Sequence, residues 1–105
     1  MKTLSFKDFF VNFMDNKEKL NGLFLFTLRN SCGLCSKASE EIIKSETQVF
    51  PKLFEVACEN EDELFALDLM VVPVFRLYKH GKMVWQKGGI LYEKQVKEML
   101  EAHGK

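Results

Sequence analysis

Phe6, Phe9, Phe10, Phe13 and Met14 recur at the three- and four-residue spacing of one helix face and predict an amphipathic helix early in the chain. Ser5 or Thr3 is placed to cap its start, and Asn16 to Gly22 supplies the break that follows. The next run, Leu23-Phe24-Leu25-Phe26-Thr27-Leu28, is apolar at both alternating sets of positions, the pattern of a parallel strand covered on both sides. Arg29-Asn30-Ser31 reads as a short loop. Cys35 to Val49 reads as a helix, with Ala38, Ile42 and Ile43 inward and Glu40, Glu41 and Lys44 outward. Pro51 interrupts, and Leu53 to Cys58 reads as another strand.

Asn60, with Glu63 three positions on, opens a short helix in the manner of a capping box, its buried side made of Leu64, Leu67 and Phe65. Val71 to Tyr78 is rich in β-formers and holds Pro73 inside it. Lys79-His80-Gly81-Lys82 predicts a hairpin turn, Met83 to Lys87 the returning strand, and Gly88-Gly89 a break or bulge in it. Tyr92, Val96, Met99, Leu100 and His103 mark a last amphipathic helix, and Lys2 to Leu4 is a candidate first strand. Strands alternating with helices and ending in a hairpin predict an α/β architecture: a central mixed sheet of four to five strands, flanked by helices on both faces. No repeat or linker divides residues 1–105, so the chain reads as one domain.

Composition narrows this reading. Fifteen basic residues offset fifteen acidic ones, which leaves no net field to draw the chain to nucleic acid or to an anionic membrane surface. No apolar run approaches the roughly 18 residues of a membrane span, and Lys7 and Asp8 interrupt the start before a signal-peptide core can form. Three cysteines are too few, and odd in number, for the framework of a secreted disulfide-rich domain. The expectation is a cytoplasmic monomer in which any disulfide is transient and catalytic.

Cys32-Gly33-Leu34-Cys35 changes the picture most. The dithiol stands where the loop after a buried strand gives way to a helix. Unpaired backbone N–H groups and the helix dipole favour an anion there, so the first cysteine is set to ionise and the thiolate is the reactive form. A C-x-x-C is also half a zinc site, but only Cys58, His80 and His103 remain to complete one. His80 fits the hairpin turn and His103 the terminal helix, so no metal is expected. Cys58, at the end of an apolar strand, reads as packing, with a regulatory thiol as the alternative, and Trp85 in the hairpin reads as packing.

This dithiol, at the first buried strand–helix junction, makes the chain resemble the thioredoxin superfamily. Pro73 stands where that family has a cis-proline, and Gly81 and Gly89 match its glycines at the hairpin turn and near the end of the return strand. The resemblance spans essentially the whole chain. It implies the thioredoxin fold and a thiol–disulfide oxidoreductase in which Cys32 is the nucleophile and Cys35 the resolving thiol. It further implies that Val72 and Pro73 hold a substrate strand, with Gly33, Leu34 and Gly89 beside it. The implied substrates are protein disulfides, the donor a thioredoxin reductase or equivalent, and the redox-active Cys32–Cys35 disulfide needs no further cofactor.

Three positions depart from the family pattern. Ser31 replaces a tryptophan, Leu34 a proline, and Phe26 the buried aspartate that assists the second cysteine. Cys35 is therefore expected to rely on water or on a different group. Gly33-Leu34 lacks the histidine of the strongly oxidising members, which implies a reductase. Two other readings stay open. A glutaredoxin-like enzyme using a low-molecular-weight thiol is favoured by Gly88-Gly89, but disfavoured by the helix at Phe6–Met14 and by Val71-Val72-Pro73 in place of Thr-Val-Pro. A non-catalytic binding module is disfavoured by retention of both cysteines.

Overall fold

Five strands carry the apolar runs: β1 (Lys2–Ser5), β2 (Gly22–Leu28), β3 (Leu53–Cys58), β4 (Val74–Lys79) and β5 (Lys82–Gly88). They lie in the order β1-β3-β2-β4-β5 in this computed structural model, which describes residues 1–30, 32–49 and 52–103. Ser31 and Pro51, both used in the sequence reading, fall outside the described residues. β1 and β2 run parallel to β3, β4 is antiparallel to β2, and β5 is antiparallel to β4. The helices are α1 (Phe6–Phe9), α2 (Gly33–Ile43), α3 (Glu61–Ala66) and α4 (Glu93–His103).

The central strand is buried on both sides, as its unbroken apolar run requires. Phe24 and Phe26 join Phe9, Phe54, Val56 and Leu64 in one core, beneath α1 and α3. Leu23 and Leu25 join Ala38, Ile42, Val96 and Met99 in the other, beneath α2 and α4. This is the mixed sheet with helices on both faces, and it has five strands.

Packing alters several local expectations. The first helix changes to a π-helical turn over Phe10–Met14, with Asp15 N–H donating to the Phe10 carbonyl at 3.0 Å. Phe13 then reaches Phe24 and Phe54, with ring centroids 5.4 and 5.2 Å away, while Phe10 is left partly in solvent. The helix expected to reach Val49 begins at Gly33 and stops at Ile43. A turn and a 3₁₀ segment (Glu46–Gln48) redirect the chain, which buries Val49 but leaves Ile43 exposed. Phe65, expected inside, is also exposed, because α3 buries only Leu64 before Leu67 closes it.

Strand β4 starts at Val74, not Val71: the Val72–Pro73 peptide is cis, and proline has no N–H to offer a ladder. The bulge falls opposite the Leu77/Tyr78 step, where Val84 is the extra residue, while β5 simply ends at Gly88. At the hairpin, His80 and Gly81 both adopt positive φ (51° and 85°), as a two-residue primed turn demands. A Cβ at Gly81 would come within 2.9 Å of Lys17, and its N–H donates to the Leu20 carbonyl, so the turn is docked as well as bent.

Candidate active site

Cys32 is the N-cap of α2, with extended backbone (φ −130°, ψ 101°) and no side-chain hydrogen bond closing the helix start. The first amides of α2 are therefore available to an anion at that end. Cys35 lies one turn inside the helix, 6% exposed, and is joined to Cys32 in a disulfide with Cα atoms 5.4 Å apart. Cys32 is partly exposed, and Gly33 and Leu34 between them face solvent. The order of exposure follows from geometry: the N-cap stands outside the helix, while the residue three positions on turns back toward the sheet.

Pro73 lies at the same end of the sheet. Phe26 pairs with Val74, so Pro73 continues alongside Thr27, close to where the loop bearing Cys32 leaves the sheet. Val74 also pairs with Gly88, and Gly89 N–H donates to the Pro73 carbonyl at 2.9 Å. Gly89 takes φ +93°, and a Cβ there or at Gly33 would meet nothing within 4 Å. The residues singled out in the sequence thus come from three segments that converge at one end of the sheet.

Solved structures supply a comparison for this arrangement. Thioredoxin f2 from Chlamydomonas reinhardtii superposes with a TM-score of 0.70 at 18% identity, over 100% of this chain and 98% of that one. For thioredoxin O2 from Arabidopsis thaliana in its oxidized state, the TM-score is 0.73 at 19% identity, over 99% and 94%. The chain has the thioredoxin fold. A third likeness, to thioredoxin NaTrxh from Nicotiana alata, has a TM-score of 0.67 at 20% identity, over 95% and 91%. No family model and no curated protein matches the sequence.

Within the thioredoxin fold, the carboxylate in the cleft that Cys35 lines comes from β3. Phe26 is fully buried and faces α1, its ring 5.5 Å from that of Phe9, on the side of the sheet away from α2. Thr27 faces α2 instead, and its hydroxyl donates to Glu55 Oε2 at 2.9 Å. Ser39 on α2 donates to Glu55 Oε1 at 3.2 Å. Glu55, Thr27 and Ser39 line a cleft of about 420 Å³ with both Cys32 and Cys35. No acid stands on β2, where Phe26 takes the place the family gives to one, and the carboxylate in this cleft stands on β3. The signal was present in Leu53-Phe54-Glu55-Val56-Ala57-Cys58, where Glu55 is the lone charge in an apolar strand.

Cys58 is fully buried and has no disulfide partner. Burial, with the Glu63 charge second, pushes its thiol up from 9.0 to about 11. The folded state holds this proton more tightly than the unfolded chain does. Its contribution to stability is therefore whole below pH 9 and is lost as pH rises from 9 toward 11. Wild type, with Cys32 and Cys35 oxidised, is expected to lose about 2 kcal/mol across that window relative to Cys58→Ala. Urea midpoints that fail to converge between pH 9 and 11 would contradict this. Among the described residues no three His, Cys, Asp or Glu side chains gather as metal ligands, and no helix is long and apolar enough to cross a membrane.

Proposed function

We propose that the chain is a thiol–disulfide oxidoreductase of thioredoxin type, a cytoplasmic monomer that reduces protein disulfides. The observation that carries this reading is the placement of the dithiol, with Cys32 at the open mouth of α2 and Cys35 one turn inward. In the reduced enzyme the Cys32 thiolate attacks one sulfur of a substrate disulfide, and the other sulfur leaves as a thiolate. Cys35 then gives up its proton and attacks Cys32 Sγ, releasing the second substrate sulfur. The substrate gains two electrons and the enzyme is left as the Cys32–Cys35 disulfide. A thioredoxin reductase or equivalent donor resets it.

The surroundings divide the remaining work. Val72, before the cis-proline, offers backbone to an extended substrate segment by strand addition. Gly33, Leu34 and Gly89 leave the approach open, since neither glycine has a neighbour that a side chain would touch. Glu55 serves as proton acceptor for Cys35 through water in the shared cleft, filling the part that no β2 residue plays.

The test is catalysis of insulin reduction, with the oxidised protein recycled either by a flavin-dependent thioredoxin reductase or by glutathione. Faster turnover with the flavoenzyme is expected. Preference for glutathione would replace this reading with a glutaredoxin-like one, and no acceleration over free dithiol would reduce the chain to a binding module. Glu55→Gln is expected to slow the Cys35 step about tenfold near pH 7, with the deficit shrinking as pH rises and hydroxide takes over.

A further inference from the structure

Among the described residues, Arg76 is the one charged side chain that is buried, and the redox chemistry does not use it. It lies on β4, three positions after Pro73, and is 8% exposed. Its side chain faces the core beneath α1 and α3, where its guanidinium carbon sits 5.3 Å from the centre of the Phe26 ring. Among the described residues no carboxylate pairs with it. Burying a guanidinium this way is costly, and an apolar side chain of similar volume would fill the site without that penalty. What offsets the cost is a set of polar contacts that run to specific places.

Nε donates to Gln86 Oε1 on β5 at 2.7 Å, and Nη1 reaches the Tyr78 hydroxyl at 3.3 Å. The other two bonds go to backbone at the end of α3: Nη1 to the Leu67 carbonyl at 2.9 Å, and Nη2 to the Asp68 carbonyl at 3.4 Å. That helix end is closed in a Schellman pattern. Asp68 takes φ +61°, Asp68 N–H donates to the Phe65 carbonyl and Leu69 N–H to the Leu64 carbonyl. The pattern satisfies Leu64 and Phe65 and leaves the carbonyls of Leu67 and Asp68 to Arg76. One guanidinium therefore ties the end of α3 to β4 and β5.

Between this tie and the cis peptide lies a strap of four residues, Leu69 to Val72. Leu69 is buried, whereas Met70 is 82% and Val71 66% exposed. The strap is fastened at one end by Arg76 through Leu67 and Asp68. At the other end Pro73 is held by the bond from Gly89. Its apolar tip stands free and continues directly into Val72, the residue assigned above to substrate backbone.

We propose that Arg76 is a positioning residue that holds the Met70–Val72 strap as a preformed apolar grip, so that the enzyme favours disulfides flanked by apolar polypeptide over small disulfides. This rests on the redox reading above. Arg76 takes no part in sulfur exchange; it sets where the substrate chain lies while Cys32 attacks. The advantage is one of pre-organisation, because a strap already in place loses less freedom when a chain docks on it.

The experiment compares insulin with the small aryl disulfide dithiobis(nitrobenzoate) in wild type, Arg76→Leu, Arg76→Lys and Met70→Ser, alongside urea midpoints. Arg76→Leu keeps an apolar filler but leaves two carbonyls unpaired, and Arg76→Lys keeps the charge but lacks the fork that spans them. Each is expected to raise the insulin KM about fivefold with kcat little changed, and to lower the insulin-to-aryl-disulfide efficiency ratio by the same factor. Met70→Ser, at a position too exposed to endanger folding, is expected to raise the insulin KM as well. An unchanged insulin KM in folded Arg76 variants would overturn the proposal. So would equal losses on both substrates, or an unaffected Met70→Ser. Failure of wild type to reduce either disulfide would instead sink the redox reading itself.

Discussion

Cys32→Ser is expected to abolish disulfide reduction, with turnover on insulin falling by on the order of 10³ or more, while Cys35→Ser stalls after the first exchange. The two losses differ in kind because the cysteines differ in place. Cys32 caps α2 from outside and is partly exposed, so a substrate sulfur can approach it in line with its own disulfide bond. A serine hydroxyl there stays protonated at neutral pH and cannot displace a thiolate. Cys35 is nearly covered and adjoins the Glu55 cleft, so its one accessible target is Cys32 Sγ. Without it, the mixed disulfide between Cys32 and substrate accumulates, and mass spectrometry under non-reducing conditions reads it directly. A Cys32→Ser protein that still turned over at the wild-type rate would show that the roles have been misassigned.

The largest stability effect is expected at Phe24, where truncation to alanine costs about 3–5 kcal/mol. Phe24 is fully buried, and its ring centroid lies 5.0 Å from that of Phe54, 5.4 Å from those of Phe9 and Phe13, and 5.6 Å from that of Tyr78. These partners come from α1, the π-helical turn, β3 and β4, so the cavity left by Phe24→Ala is walled by four elements that cannot all close in. Phe65→Ala, at an exposed position of α3, is the control and is expected to stay within about 0.5 kcal/mol. Chemical denaturation of the two variants checks the contrast. A Phe24→Ala cost below about 1 kcal/mol would mean that the aromatic cluster is not the structural centre.

Some of this protein was written in local order. The apolar run from Leu23 to Leu28 required cover on both sides and has it. The limits of β3 follow its pattern of residues, and Asn60 accepts from Glu63 N–H at 3.0 Å as a cap. The reciprocal half of that capping box shifts by one residue: Glu63 accepts from the N–H of Glu59 instead of Asn60. Ser5 caps α1 through Asp8 N–H, and the hairpin turns at His80-Gly81. Such features depend on residues within a few positions of one another, and spacing along the chain expresses them fully.

Tertiary structure decided what depends on which faces meet. Counting back from Cys32 led to Phe26 as the place of a missing acid, yet strand alternation turns Phe26 toward α1 and Thr27 toward the dithiol side. The carboxylate in the cleft comes from Glu55, 28 positions beyond Thr27 and brought there only by parallel pairing of β2 with β3. Arg76, like Glu55 a charge inside an apolar strand, finds its partners only when the end of α3 is laid over it. The early stops of α1 and α2 were set by the need to seat Phe13 and Val49 in cores made by other elements. The chain alone determined its period, its caps, its turns and the place of the Cys32–Cys35 pair at the start of a helix. Assembly determined the rest, because a side chain's partners across a sheet are separated from it in sequence and joined to it only by packing.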